Sequence, residues 1–226
     1  MEDGKKMNKL NVLYEDNHVI VVEKPFNVLS QGDATGDLDL LTMVKQYVKV
    51  KYNKPGNVYI GLVHRLDRPV GGIMVFARSS KAASRLSNDI KNHKNFKKTY
   101  LAIVNGTDFD NMGTFKDKLK KLDNGNTIVS NDGKESILNY TVLDKNIEKN
   151  ISLVKIDLVT GRHHQIRVQF ASRGHALCGD QRYGLRDNKQ LALYAYKLEF
   201  MHPVKKEMMS FELLPKHTDY WSYFNM

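Results

Sequence analysis

One cysteine, Cys178, stands in a chain of 226 residues, so no internal disulfide can form, and such usage fits a reducing compartment. Between Leu177 and Gly179 this lone thiol reads as a small buried filler. No apolar run approaches the roughly 20 residues that a membrane helix requires. The opening Met1-Glu2-Asp3-Gly4-Lys5-Lys6 leads into no apolar segment of the kind a secretory signal carries. These absences predict a cytoplasmic protein. Pro/Ser-rich linkers, low-complexity tracts and internal repeats are missing as well, so one core and one large domain are expected. What the chain does have is positive charge: 35 Lys+Arg against 25 Asp+Glu, a formal net charge of +10. With 41% hydrophobic and 27% charged residues the composition is that of a folded domain. The charge excess favours a polyanionic partner, of which nucleic acid is the commonest. Dense basic stretches lie at residues 93–98 and 116–121, and the second reads equally well as a solvated face.

His64-Arg65-Leu66-Asp67 packs a carboxylate and two basic side chains into four residues, and Arg68-Pro69-Val70-Gly71-Gly72 leads on to an apolar run at 73–77. Alternation over 58–63 predicts a strand entering this tetrapeptide, and the apolar run predicts one leaving it. Asp67 then falls on a tight, glycine-bearing connection between core strands, a rigid mount for a catalytic acid or nucleophile. Elsewhere the pattern predicts a strand at 19–23, a helix over 40–52 capped by Asp37 or Asp39, and a turn at Pro55-Gly56. A second helix follows Ser79 or Ser80. Strands are expected at 99–105, 137–144, 151–159, 191–200 and 208–213, and a helix through 164–173 closed by Gly174. The sum is an α+β fold with a large, mostly antiparallel sheet.

Four ordered blocks resemble the RluA-type RNA pseudouridine synthases, which isomerise uridine to pseudouridine within RNA. The first is Tyr14-Glu15-Asp16-Asn17-His18 running on to Lys24-Pro25, and the second is the His64–Asp67 tetrapeptide with its glycines. The third is Lys97-Lys98-Thr99-Tyr100-Leu101-Ala102. The last is Thr160-Gly161-Arg162-His163-His164-Gln165-Ile166-Arg167, continued by Gly174-His175 and Gly179-Asp180-Gln181-Arg182-Tyr183-Gly184. The resemblance implies the pseudouridine synthase fold, a large mixed sheet with a few flanking helices and a central cleft. It implies a single catalytic domain over 11–226 after a stub at 1–10, without the S4-type RNA-binding domain that many members carry.

The implied chemistry breaks N1–C1′ and forms C5–C1′, so no cofactor and no metal is expected. On the same resemblance Asp67 is the carboxylate that acts near C1′, and Arg167 is its ionic partner. Tyr100 stacks on the base, with a hydroxyl near the C5 proton. Because a stacked base must be flipped out to react, Arg65 is expected to fill the vacated space. Arg68, Arg162, His164 and Gln165 are expected to contact RNA, ribosomal or transfer, and the protein to act as a monomer. Two departures stand out: His163 replaces the usual Thr or Ser, and Pro69-Val70-Gly71 replaces a hydroxyl-bearing loop. A second reading is a non-catalytic RNA-binding or RNA-folding protein of the same fold, against which the intact Asp67, Tyr100 and Arg167 set argues. A third, a metal-dependent nuclease built on His163 and His164, lacks a carboxylate cluster, and adjacent helical residues point about 100° apart.

Overall fold

The computed structural model describes residues 10–226; residues 1–9, nearly all of the expected stub, lie outside them. In chain order the elements begin with β1 (Val12–Glu15), β2 (Val19–Lys24), α1 (Leu40–Lys51), β3 (Gly61–Leu62), β4 (Gly71–Ala77) and α2 (Ser80–Lys91). There follow β5 (Phe96–Asn105), β6 (Met112–Lys121), β7 (Thr127–Val129), β8 (Lys134–Asn146) and β9 (Ile151–Leu158). The chain continues through α3 (Gln165–Ala171), β10 (Leu193–Met201) and β11 (Met208–Glu212), and a 3-10 turn spans Asp219–Tyr223. Helix starts follow from capping. Asp39 accepts the Thr42 N–H and hydroxyl ahead of α1, and Ser79 accepts the Ala82 N–H ahead of α2. No side-chain cap precedes α3. His164 adopts a left-handed conformation (φ 52°, ψ 23°), so the helix starts one residue later than expected and runs only to Ala171.

The strands form one 11-stranded sheet in the order β1-β2-β4-β10-β5-β9-β8-β6-β7, with β11 beside β10 and β3 beside β4. Only the β4–β10 pair is parallel, which makes this the expected mostly antiparallel α+β sheet. Strand β10 therefore enters between β4 and β5, two strands laid down about a hundred residues earlier. Gly72 permits that insertion: at φ +123° its backbone lies so close that a Cβ would stand 2.3 Å from the Ala195 carbonyl oxygen. One side of the sheet packs Val44 and Val48 of α1 and Phe170 of α3 with Tyr100 and Ala102 of β5. A second cluster joins Leu86 of α2 to Val21 and Val75, and a third sets Trp221 and Phe224 against Leu101 and Ile103.

One expectation needs correction, and one strand was not anticipated. The strand expected at 58–63 contracts to Gly61–Leu62, and Tyr59 is exposed. The basic stretch 116–121 is part of β6: Phe115 and Leu119 turn into the core while Lys116, Lys118 and Lys120 stay exposed. Lysine density hid an ordinary period-two strand.

Candidate active site

Asp67 lies on the connection from β3 to β4, and the backbone around it is held carbonyl by carbonyl. The Ser30 hydroxyl donates to Leu66 O at 2.7 Å and accepts the Leu66 N–H at 3.0 Å. Val70 N–H closes a turn onto Asp67 O at 3.0 Å. Lys24 Nζ donates to Arg68 O at 3.0 Å, and Gln190 Nε2 to Pro69 O at 2.7 Å. Four successive carbonyls thus each find a donor. Lys24 is wholly buried and also donates to Pro25 O and Val28 O, so three acceptors meet the three hydrogens of its ammonium. Burial draws its pKa down to about 7, and the nearby Asp67 charge opposes that pull.

The Asp67 side chain is 29% exposed, and its Oδ2 lies 3.5 Å from Arg167 Nη1 and 3.6 Å from His164 Nε2. Neither distance is a hydrogen bond. The carboxylate is attended by charge and left free to meet a ligand. Arg167, at 6% exposure, is fixed from behind by Asp180, which accepts from Nε at 2.8 Å and Nη2 at 2.7 Å. Burial works against both charges. It is outweighed at Asp180, whose pKa is lowered by Arg167 and by the Arg182 and Tyr183 N–H groups, and at Arg167, whose pKa is raised by Asp180 and Asp67. The guanidinium also lies 5.2 Å from the Tyr183 ring centroid. Tyr183 accepts the Thr127 N–H and meets His164 Nδ1 at 2.7 Å. Donation by the hydroxyl to Nδ1 leaves the N–H of His164 on Nε2, facing Asp67. Burial and the Arg167 charge hold the His164 pKa down to about 3, so the ring is neutral.

Two cavities of about 640 and 940 Å³ meet at Asp67, His163, His164 and Arg167. Tyr100 and Lys98 line the smaller one. Burial, with the Asp67 charge beside it, raises the Tyr100 pKa, so the hydroxyl keeps its proton and is a donor rather than a ready base. Arg65 and Arg162 are exposed on the same cavity, and Arg162 Nε donates to Glu135 O at 3.0 Å. Arg68 faces the larger cavity and pairs with Asp37 at 2.7 Å. His64 lines the same cavity as Arg65. Its Nε2 accepts the Val75 N–H at 3.1 Å, its ring packs 5.4 Å from Phe96, and burial pulls its pKa down to about 3.

Of the expected RNA contacts, Gln165 has another place. It is 3% exposed, its Oε1 accepts from the Thr160 hydroxyl and the Arg162 N–H, and its Nε2 donates to Ile137 O. Its amide ties the turn before α3 to β8, because a buried amide must spend its hydrogen bonds internally. His164 is a wall of the site rather than part of its rim. The adjacent histidines stack at 3.7 Å, with His163 Nδ1 on the Thr127 hydroxyl at 2.8 Å. Asp180, Lys24, Ser30 and Gln190 were given no part by sequence reasoning. Lys24 and Asp180 stood inside the quoted blocks, but only the fold brings them under Asp67 and Arg167. Cys178 is buried as expected, and burial pushes its thiol pKa up to about 12.

Residues 18–172, more than half of the chain, match a family described as RNA pseudouridylate synthase. An uncharacterized RNA pseudouridine synthase of Aquifex aeolicus is 34% identical over 220 residues, covering 90% of this chain and 69% of that protein. The ribosomal large subunit pseudouridine synthase C of Rickettsia prowazekii is 32% identical over 203 residues, covering 88% of this chain and 63% of that protein. The chain spans about two thirds of the length of these relatives. The solved structure of human RNA pseudouridylate synthase domain containing 4 aligns with a TM-score of 0.75 at 20% identity, over 91% of this chain and 89% of that one. That of human RNA pseudouridylate synthase domain containing 1 gives 0.76 at 22% identity, over 96% and 88%. These likenesses are of fold.

Proposed function

The chain belongs to the RNA pseudouridylate synthase family, and from that premise we propose that Asp67 is the carboxylate that acts at C1′ of a uridine flipped out of RNA. The reaction class is isomerisation of uridine to pseudouridine. N1–C1′ breaks, C5–C1′ forms, the C5 proton leaves and N1 gains one, so nothing is oxidised and no group departs. The observation that carries the proposal is the setting of Asp67. Its carboxylate stands where two cavities meet, on a turn held at four carbonyls, beside an arginine that another carboxylate holds in place. Such preorganisation costs nothing at the moment of reaction.

Arg167 supports the charge of Asp67 and of the anionic base as it leaves. The Tyr100 ring forms a wall against which uracil can stack, and its protonated hydroxyl can donate to the base or ribose. His164, neutral, presents an N–H to the carboxylate side of the site. Arg65, exposed at the cavity and without a hydrogen-bond or ion-pair partner among the described residues, suits the space a flipped base leaves in the stack. Arg68 and Arg162 suit flanking phosphates.

Relatives named for the large ribosomal subunit make its RNA the first substrate to try. RNA tritiated at uridine C5, ribosomal and transfer in separate tubes, is the direct test. Wild-type protein should release tritium and Asp67→Asn should release at least about 10³-fold less while binding RNA within about twofold. Equal release by the two proteins would remove Asp67 from the chemistry.

A further inference from the structure

Lys98 lies two residues before Tyr100 on β5 and lines the same cavity. It is half-buried, and among the described residues it makes no ion pair and no side-chain hydrogen bond. Burial lowers its pKa with no neighbouring negative charge in opposition. The contrast with Lys24 is direct, since that buried ammonium meets three carbonyl oxygens. A half-buried ammonium that makes no ion pair gains more from an arriving anion than a fully solvated one does.

Gly161 bears on the same point. Its φ is not in the left-handed region, so backbone conformation does not demand glycine there. A Cβ at Gly161 would instead stand 3.0 Å from Lys98 Nζ, in the space the ammonium uses. The Gly161 N–H also donates to no acceptor among the described residues. Lys98 and Tyr100 stand two residues apart on β5 and so share one face of the strand. Lys98 therefore lines the cavity about 7 Å along the strand from Tyr100.

We propose that Lys98 and the Gly161 backbone form a seat for one phosphodiester of the RNA strand, next to the uridine that enters over Tyr100. The fully charged anions of RNA are its phosphates, and the spacing from Tyr100 to Lys98 is comparable with the reach from a base to a phosphate of its own nucleotide. The seat sets how the strand enters, while Asp67 sets what happens to the base. This assignment rests on the uridine lying over Tyr100 beside Asp67.

The test uses the whole protein and oligouridylate as the binding probe, titrated over a range of salt concentration. Lys98→Met should reduce the slope of log K against log salt by about 0.7, the single-strand value for one phosphate contact. Lys98→Arg should restore it. Gly161→Ala, whose Cβ crowds the ammonium, should reproduce part of the loss. Lys149→Met, on the turn that opens β9 at its far end, serves as the control and should leave the slope within error. With a substrate oligonucleotide, Lys98→Met should raise KM about tenfold, and a neutral methylphosphonate beside the target uridine should add nothing further in that variant. An unchanged salt slope, or additive losses from methylphosphonate and Lys98→Met, would overturn the seat. Should wild type release no tritium from any RNA, the Asp67 reading fails, yet the oligouridylate slope still decides for or against Lys98.

Discussion

Around Asp67 four backbone carbonyls in a row each receive a hydrogen bond, whereas at the rim of the same cleft Arg65 and Lys98 have no partner among the described residues. Floor and rim are both rich in positive charge. They differ in whether that charge is already spent. On the floor Lys24 is buried with its three donors engaged and Arg167 is buried and clamped along one edge by Asp180, so a reacting group placed there is met without rearrangement. The rim side chains reach toward solvent and gain partners only when a polyanion arrives, which makes them a source of affinity and salt dependence. Chemistry is assigned to the rigid half, and strand capture to the open half.

The sharpest way to break this contrast is to loosen the floor. Asp180→Asn removes one partner of a buried ion pair and should lower stability by about 3 kcal/mol, read by urea denaturation, while turnover falls about 100-fold. Unchanged turnover in a destabilised protein would mean that Arg167 needs no support from behind. Lys24→Met leaves the Arg68 carbonyl of the Asp67 turn, with those of Pro25 and Val28, without its donor and should cost about 2 kcal/mol. Its kinetic effect should be a lower kcat at unchanged KM; a rise in KM instead would move Lys24 from the floor to RNA capture.

Acid should also act on the floor first. His64 and His164 have pKa values lowered to about 3 by burial, against about 6.5 in an unfolded chain. Between those values the unfolded chain binds more protons, so their contribution to stability is full above about pH 6.5 and is lost as pH falls through the window. Unfolding free energies from denaturant titrations at pH 7 and pH 5 should differ by about 1 to 2 kcal/mol for each ring. A stability flat across that range would show that the rings charge freely in the folded protein. The smallest effect is expected off the cleft, on the face of β5 opposite Lys98 and Tyr100. Lys97→Met, at an exposed position, should flatten the salt dependence of RNA binding by less than one counterion and leave kcat alone.

Much of the site could be seen in the chain because its chemistry is concentrated in short blocks. Asp67, Tyr100 and Arg167 each stand inside one, and the structure brings Asp67 and Arg167 together across a hundred residues and puts Tyr100 on the same cavity. Caps were legible for the same local reason: Asp39 and Ser79 announce α1 and α2. Asp180 was not legible as the second partner of Arg167. A carboxylate in an irregular segment has no periodicity, and its role exists only after folding. The start of α3 was misread because a left-handed His164 has no sequence signature as firm as glycine. Gln165 looked like an RNA contact because polar side chains in a motif invite that reading, whereas its amide is buried and hydrogen-bonded within the protein.

The placement of β10 between β4 and β5 has a consequence for the life of the chain. Until residues 190–201 have left the ribosome, the Asp67 turn lacks the Gln190 hydrogen bond and the parallel neighbour that closes over Gly72. A nascent chain therefore carries Asp67 through more than a hundred further residues of synthesis without the framework that surrounds it, and the turn is completed only when β10 slots into the sheet.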